Sequence, residues 1–148
     1  MKPSYATLKA AVLASSAQAT ELASQATHPA SINKSAVRIS LALLDCSLAF
    51  MGRLPISTGK HRGKYAEPGA RRLAEQLSLH TIFDLPEVFT DGDVAKHELS
   101  LKRGVVFFQA SSSYEGGHID LIEPGNAALL CSQHGYFNCK EIWFWPLA

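Results

Sequence analysis

A serine at a helix start and a histidine on a later strand are the residues from which this sequence can build chemistry. Ser35 follows Asn33-Lys34 and precedes a mostly apolar run from Ala36 to Phe50. Asn33 and Ser35 are both residue types that cap helix starts. His118 follows Gly116-Gly117 and opens the alternating segment His118-Ile119-Asp120-Leu121-Ile122. The unpaired N–H groups at a helix start carry partial positive charge. They would stabilise an anionic nucleophile and the oxyanion formed at an attacked carbonyl. A neighbouring imidazole would take the nucleophile's proton and return it to a leaving amine. A third polar group would hold that imidazole in one tautomer. Such an arrangement would support nucleophilic attack on an amide, though residue types and spacing signal it only weakly. Residue types alone also allow a plainer reading, in which Ser35 caps only its own helix and His118 sits beside a turn.

The elements that must position these residues are legible in outline. Tyr5 to about Thr27 follows a helical period through Leu8, Val12, Ala19 and Leu22, and packs on the domain. The second helix begins near Ser35 and is apolar enough to be central and covered on most sides. A loop from Gly52 to Pro68 follows, with His61-Arg62-Gly63-Lys64 as a solvated cluster. Ala70 to Leu79 predicts a third helix, with Leu73 and Leu77 on its buried edge. Asp84 to Glu98 is polar and broken by Pro86 and Gly92. Val105 to Phe108 has the texture of a buried strand. His118 to Ile122 alternates with period two, which puts His118, Asp120 and Ile122 on one face. Ala127 to Cys131 and Glu141 to Trp145 supply further strands. Helices followed by an antiparallel meander give an α+β class, with N-terminal helices packed on an antiparallel sheet.

Composition narrows the function. The 148 residues make one domain, 1–148, with 47% hydrophobic residues and a net charge of +1. That charge argues against nucleic acid as a partner. No apolar run reaches the roughly 18 residues of a membrane span, and Ser15, Ser16, Gln18 and Thr20 interrupt the Ala-rich start, which argues against a signal peptide. Arg38, one turn into the apolar helix, calls for a carboxylate, either in the protein or on a substrate. Cys46 lies within that helix, away from its free N–H groups, and is a poor nucleophile candidate.

The stretch Asn33-Lys34-Ser35-Ala36-Val37-Arg38-Ile39-Ser40-Leu41-Ala42-Leu43 resembles the nucleophile motif of the type VI secretion amidase effectors, most closely their fourth family. Gly116-Gly117-His118-Ile119-Asp120-Leu121 resembles that family's Gly-His strand, Cys131-Ser132-Gln133 its Cys-Ser-Asp segment, and Glu141 to Trp145 its closing strand. The resemblance runs from about residue 30 to 148. It implies a papain-like, NlpC-type fold and a peptidoglycan amidase of the D,L-endopeptidase kind, which cleaves the stem peptide between D-glutamate and meso-diaminopimelate. It implies no cofactor and no metal.

On this resemblance the catalytic positions are Ser35, His118 and an orienting residue, with the backbone N–H of residue 35 in the oxyanion hole. Ser35 stands where the family has cysteine, so the chain as written is expected to be inactive, whether the serine is engineered or natural. The family's orienting aspartate aligns with Gln133. Asp120 is the rival, and Gln133 is favoured slightly because same-face neighbours on a strand sit side by side. Arg38 and Gly117 are the substrate-contact candidates, Arg38 toward the stem's diaminopimelate carboxylate. Cys131 and Cys139 are expected to form the family's disulfide. Two reduced thiols remain the alternative, and a metal site with His134 lacks a fourth ligand. The partners implied are the peptidoglycan stem, a cognate immunity protein that blocks the cleft, and a secretion apparatus. The protein would be made in the cytoplasm without a signal peptide and delivered to the periplasm of target bacteria. A non-catalytic pseudoenzyme that binds peptidoglycan or an immunity protein is the competing reading.

Overall fold

In the computed structural model the described residues are 2–25, 32–109, 117–124 and 140–148. Two long helices come first, α1 (Tyr5–Gln25) and α2 (Lys34–Asp45). A two-residue ladder joins β1 (Leu54–Pro55) to β2 (Tyr65–Ala66), and α3 (Ala70–Leu77) follows. Then come β3 (Glu87–Phe89), α4 (Gly92–Leu99), β4 (Gly104–Phe108), β5 (His118–Ile122) and β6 (Ile142–Pro146). The class is α+β. No helix among the described residues is long and apolar enough to cross a membrane.

Among the described residues the main sheet has four antiparallel strands in the order β3-β6-β4-β5. The expected meander is thus corrected: β6 lies between β3 and β4. Burial explains the order. All five residues of β4 are buried, and a strand covered on both faces is satisfied only with a neighbour on each edge. On one face Val105, Phe107, Ile119, Leu121 and Trp145 pack with the apolar sides of α1, α2 and α3. On the other, Val106, Phe108, Ile122 and Phe144 pack with Ala95 and Leu99 of α4. The segment Asp84 to Glu98, which read as broken polar chain, therefore holds β3 and a short helix. Asp91 caps α4 by accepting from Asp93 N and Val94 N.

Helix α2 is the spine, and eight of its residues are buried. It packs against α1, α3, β2 and β5. Its buried Ser40 hydroxyl accepts from Glu67 N at 3.0 Å, and Asn33 N donates to Pro68 O at 2.8 Å. Glu67, itself buried, accepts from Arg53 Nε at 3.1 Å, Arg53 Nη2 at 2.7 Å and Gly69 N at 2.7 Å. A buried carboxylate is tolerable only when paired in this way. The chain from Arg53 to Gly69 is thereby clamped along the helix that carries Ser35.

The far end of α2 corrects a second expectation. His61 is buried, and its Nε2 meets Asp45 Oδ1 at 2.6 Å. Lys60 Nζ lies 3.2 Å from the same oxygen, and Ser15 Oγ donates to Asp45 Oδ2 at 3.3 Å. Burial pushes the Asp45 carboxyl up, but the hydrogen bonds from His61 and Lys60 outweigh it and hold the group below its ordinary value of 3.8. A depressed folded value means stability that is present above the unfolded value and is lost as pH falls through the folded one. Asp45→Asn is expected to lower the melting temperature at pH 7 by about 2–4 °C, the shift that ~1 kcal/mol makes in a chain of this size. The gap to the parent chain should close as pH falls below about 4, which thermal melts across pH 3–7 would measure. A gap that persists at the acid end would show that the ion pairing is not its source.

Candidate functional site

The site forms where the start of α2 meets strand β5. Asn33 is the N-cap, with extended dihedrals, and its Oδ1 accepts from Ala36 N at 3.1 Å. Its Nδ2 donates to Gly117 O at 2.9 Å. One amide side chain thus caps the helix and ties it to the chain entering β5. The sequence marked Asn33 only as a cap type; its second bond is the part that was missed, since nothing local signals a partner 84 residues away.

Ser35 is buried, at 5% exposure. Its Oγ donates to Asn33 Oδ1 at 2.6 Å and accepts from Ile119 N at 3.2 Å. The side chain of residue 35 therefore rests against β5 one residue beyond His118. In this arrangement the serine proton is directed at the cap and not at an imidazole.

His118 opens β5 opposite Phe108 of β4, and the two rings stack at 6.4 Å. Its Nε2 lies 2.9 Å from Asp120 Oδ2. Asp120 is fully buried, and its Oδ1 accepts from Leu121 N at 2.9 Å. Arg38 Nη2 reaches the same Oδ2 at 3.2 Å. Ionised carboxylates only accept hydrogen bonds, so the Nε2 facing Asp120 carries the proton. Residues side by side on one strand face meet here because the pleat brings i and i+2 together and because the arginine draws the carboxylate inward.

Gly117 has φ +77°, and a Cβ there would stand 2.7 Å from Phe108 O and 3.0 Å from Phe107 Cε1. Its carbonyl is the one that Asn33 holds. Glycine alone accepts that backbone without strain. Gly117→Ala is expected to cost about 2 kcal/mol or more, from the left-handed backbone plus the collision. Urea unfolding would read the loss, and an unchanged midpoint would mean that the turn can relax.

Cys46 closes α2 as its C-cap, half-buried, and burial together with the Asp45 charge pushes its thiol above the ordinary value. It stands at the opposite end of the helix from Ser35, where no free N–H groups favour a thiolate. A cavity of about 500 Å³ lined by Leu44, Leu48, Phe50, Met51 and Tyr65 also lies at that distal end. Trp143, Phe144 and Trp145 are packing residues. Phe144 and Trp145 are buried, and Trp143 lies under the Arg71 guanidinium at 4.8 Å. Gln133, Cys131 and Cys139, with the expected strand Ala127 to Cys131, lie outside the described residues. Among the described residues no group of three or more His, Cys, Asp or Glu side chains could hold a metal ion.

The structure thus brings Asn33, Ser35, Arg38, Gly117, His118 and Asp120 into one cluster. The family model for type VI secretion system (T6SS), amidase effector protein 4, Tae4, matches residues 32–145, a span that contains all of them. The chain belongs to the Tae4 family. It is accordingly a T6SS amidase effector, of a toxin class directed at peptidoglycan. Its fold matches a chain of the Tae4–Tai4 effector–immunity complex from Salmonella Typhimurium at TM-score 0.64, with 17% identity over 99% of both chains. It matches a chain of the corresponding Enterobacter cloacae complex at TM-score 0.63, with 15% identity over 100% of both. None of the curated proteins compared with the chain matches it. Helix α1 precedes the span of the Tae4 family model, yet it is docked: Tyr5 N donates to Ala148 O at 2.8 Å, and Lys9 pairs with Glu123 at 2.9 Å.

Proposed function

We propose that this protein is the scaffold of a cysteine-type amidase that hydrolyses the peptidoglycan stem peptide between D-glutamate and meso-diaminopimelate. Residue 35 is the nucleophile position, His118 the general base and acid, and Asp120 the group that orients it. The observation that carries this reading is the contact between Asp120 Oδ2 and His118 Nε2 on a strand whose next amide, Ile119 N, touches the residue 35 side chain.

The sequence of events follows papain logic. A thiol at position 35 would lose its proton to His118, and the thiolate would be stabilised by the α2 N-terminus and the imidazolium. Attack on the stem carbonyl forms a tetrahedral oxyanion, which backbone N–H groups including that of residue 35 receive. His118 then protonates the leaving amine, and water hydrolyses the acyl-enzyme by the same route in reverse. Gln133, which aligns with the family's orienting aspartate, is the alternative to Asp120 in that role.

With serine at 35 the chain is inactive, or nearly so. An alcohol is a far weaker acid than a thiol, and its proton is engaged by Asn33. That hydrogen bond also favours the second reading, a non-catalytic binder that keeps the cleft for peptidoglycan or an immunity protein. Action is in the periplasm of target bacteria after delivery by the secretion apparatus, with a cognate immunity protein covering the cleft in the producer. Within this reading residues 1–148 form one amidase domain, pinned by a Cys131–Cys139 disulfide. Digestion of purified muropeptides by the Ser35→Cys chain, with mass spectrometry of the fragments, tests the assignment. Fragments cut at the D-glutamate–diaminopimelate bond support it. Absence of any cut supports the binder.

A further inference from the structure

We infer that Arg38 is a positioning residue which acts through Asp120 and does not bind substrate. The inference rests on the assignment of His118 and Asp120 proposed above. Three observations lead to it. Asp120 is fully buried and Arg38 is the cation in contact with it, through Nη2 at 3.2 Å. The same oxygen, Oδ2, receives His118 Nε2 at 2.9 Å, so both groups compete for and orient one acceptor. Among the described residues, buried Arg38 Nε has no hydrogen-bond partner.

The last point separates this arginine from a structural one. A guanidinium kept for stability would present its fork to a carboxylate with two parallel bonds, as Arg53 does to Glu67. Arg38 makes a single-nitrogen contact and leaves a buried donor unsatisfied, which costs stability. What the geometry secures is a charge beside Asp120 that does not come from the histidine. Without Arg38, the buried carboxylate would need the imidazolium as its only cation, because an unpaired buried charge is costly. With Arg38 in place, Asp120 has a second cation beside it and can hold the His118 ring through Nε2 without depending on the imidazolium for charge. A substrate carboxylate would have to displace Asp120 from Arg38 and would strand a buried charge.

The first test uses the chain as it stands. The Nε2–H proton of His118 should give a downfield, slowly exchanging NMR resonance, because Asp120 accepts it. Arg38→Gln is expected to broaden or remove that resonance, and Arg38→Lys, which keeps the charge, to retain it. A resonance unchanged in Arg38→Gln would overturn the inference, as would its loss in both variants. If Arg38→Gln does not fold, Arg38→Lys alone carries the test in the same sense.

The second test is kinetic, in the Ser35→Cys background. Arg38→Gln should lower kcat and leave KM within about threefold, the pattern of lost transition-state stabilisation. Adding it to Asp120→Asn should cause no more than about a threefold further loss, the non-additivity of residues that act as one unit. A loss carried by KM, or fully additive losses in kcat, would place Arg38 on the substrate and sink the inference. A Ser35→Cys chain that turns over nothing is a failure of the proposed reaction, and the NMR result still decides the role of Arg38.

Discussion

Ser35→Cys is expected to raise hydrolysis of peptidoglycan stem amides by about 1,000-fold or more over the parent chain, a range typical of an activated nucleophile with its base. The magnitude follows from the local chemistry. A free thiol ionises near pH 8.5, and a helix start beside an imidazole lowers that further. An alcohol is far less acidic and gains too little from the same surroundings. The structure adds a second handicap for serine. Its hydroxyl donates to Asn33 Oδ1 at 2.6 Å, inside the helix cap. A thiol is a weak donor and competes poorly for that oxygen, which already accepts from Ala36 N. Cysteine should therefore release the side chain toward His118 while the cap stays closed. Release of stem fragments by the two chains, followed by mass spectrometry, gives the ratio. A ratio near one would remove residue 35 from the chemistry.

The next largest effect belongs to the residue that orients His118. In the Ser35→Cys background, Asp120→Asn is expected to lower kcat by about 1,000- to 10,000-fold, as happens when a triad carboxylate is replaced by an amide that favours the wrong imidazole tautomer. Gln133→Ala is expected to cost under about tenfold, because a neutral acceptor gives the imidazolium no opposite charge. Asparagine is the informative replacement, since alanine would also leave Arg38 buried without its carboxylate, which costs about 3–5 kcal/mol in stability. Steady-state kinetics on a defined muropeptide would rank the two. Equal losses, or a larger loss at Gln133, would overturn the choice of Asp120.

This choice departs from the reading of the sequence, which leaned toward Gln133 on the ground that same-face neighbours on a strand reach one another poorly. That argument omitted Arg38. A cation pulling on Asp120 Oδ2 and an amide, Leu121 N, holding Oδ1 fix the carboxylate close to the ring. Strand periodicity records which face a side chain occupies and nothing of what arrives from another element. The same limit applies to His61, which read as part of a wet loop and is buried against Asp45. It applies as well to α4, whose eight residues bury only Ala95 and Leu99, too few apolar positions to register as a period.

What the sequence determined by itself was local or carried by resemblance. The helix around Ser35 was legible because a cap residue and an apolar run declare it. The strands β4, β5 and β6 were legible because β-branched and aromatic residues cluster there. The Tae4 assignment was legible because the motifs keep their order along the chain. The tertiary structure alone decided that β6 lies between β3 and β4, that Asn33 clamps Gly117, and that Arg38, Asp120 and His118 share one carboxylate oxygen. Each of these is a contact between residues distant in the chain, or depends on one. Such contacts form only when burial forces unpaired backbone and charged groups to find partners, and no periodicity within a segment encodes them.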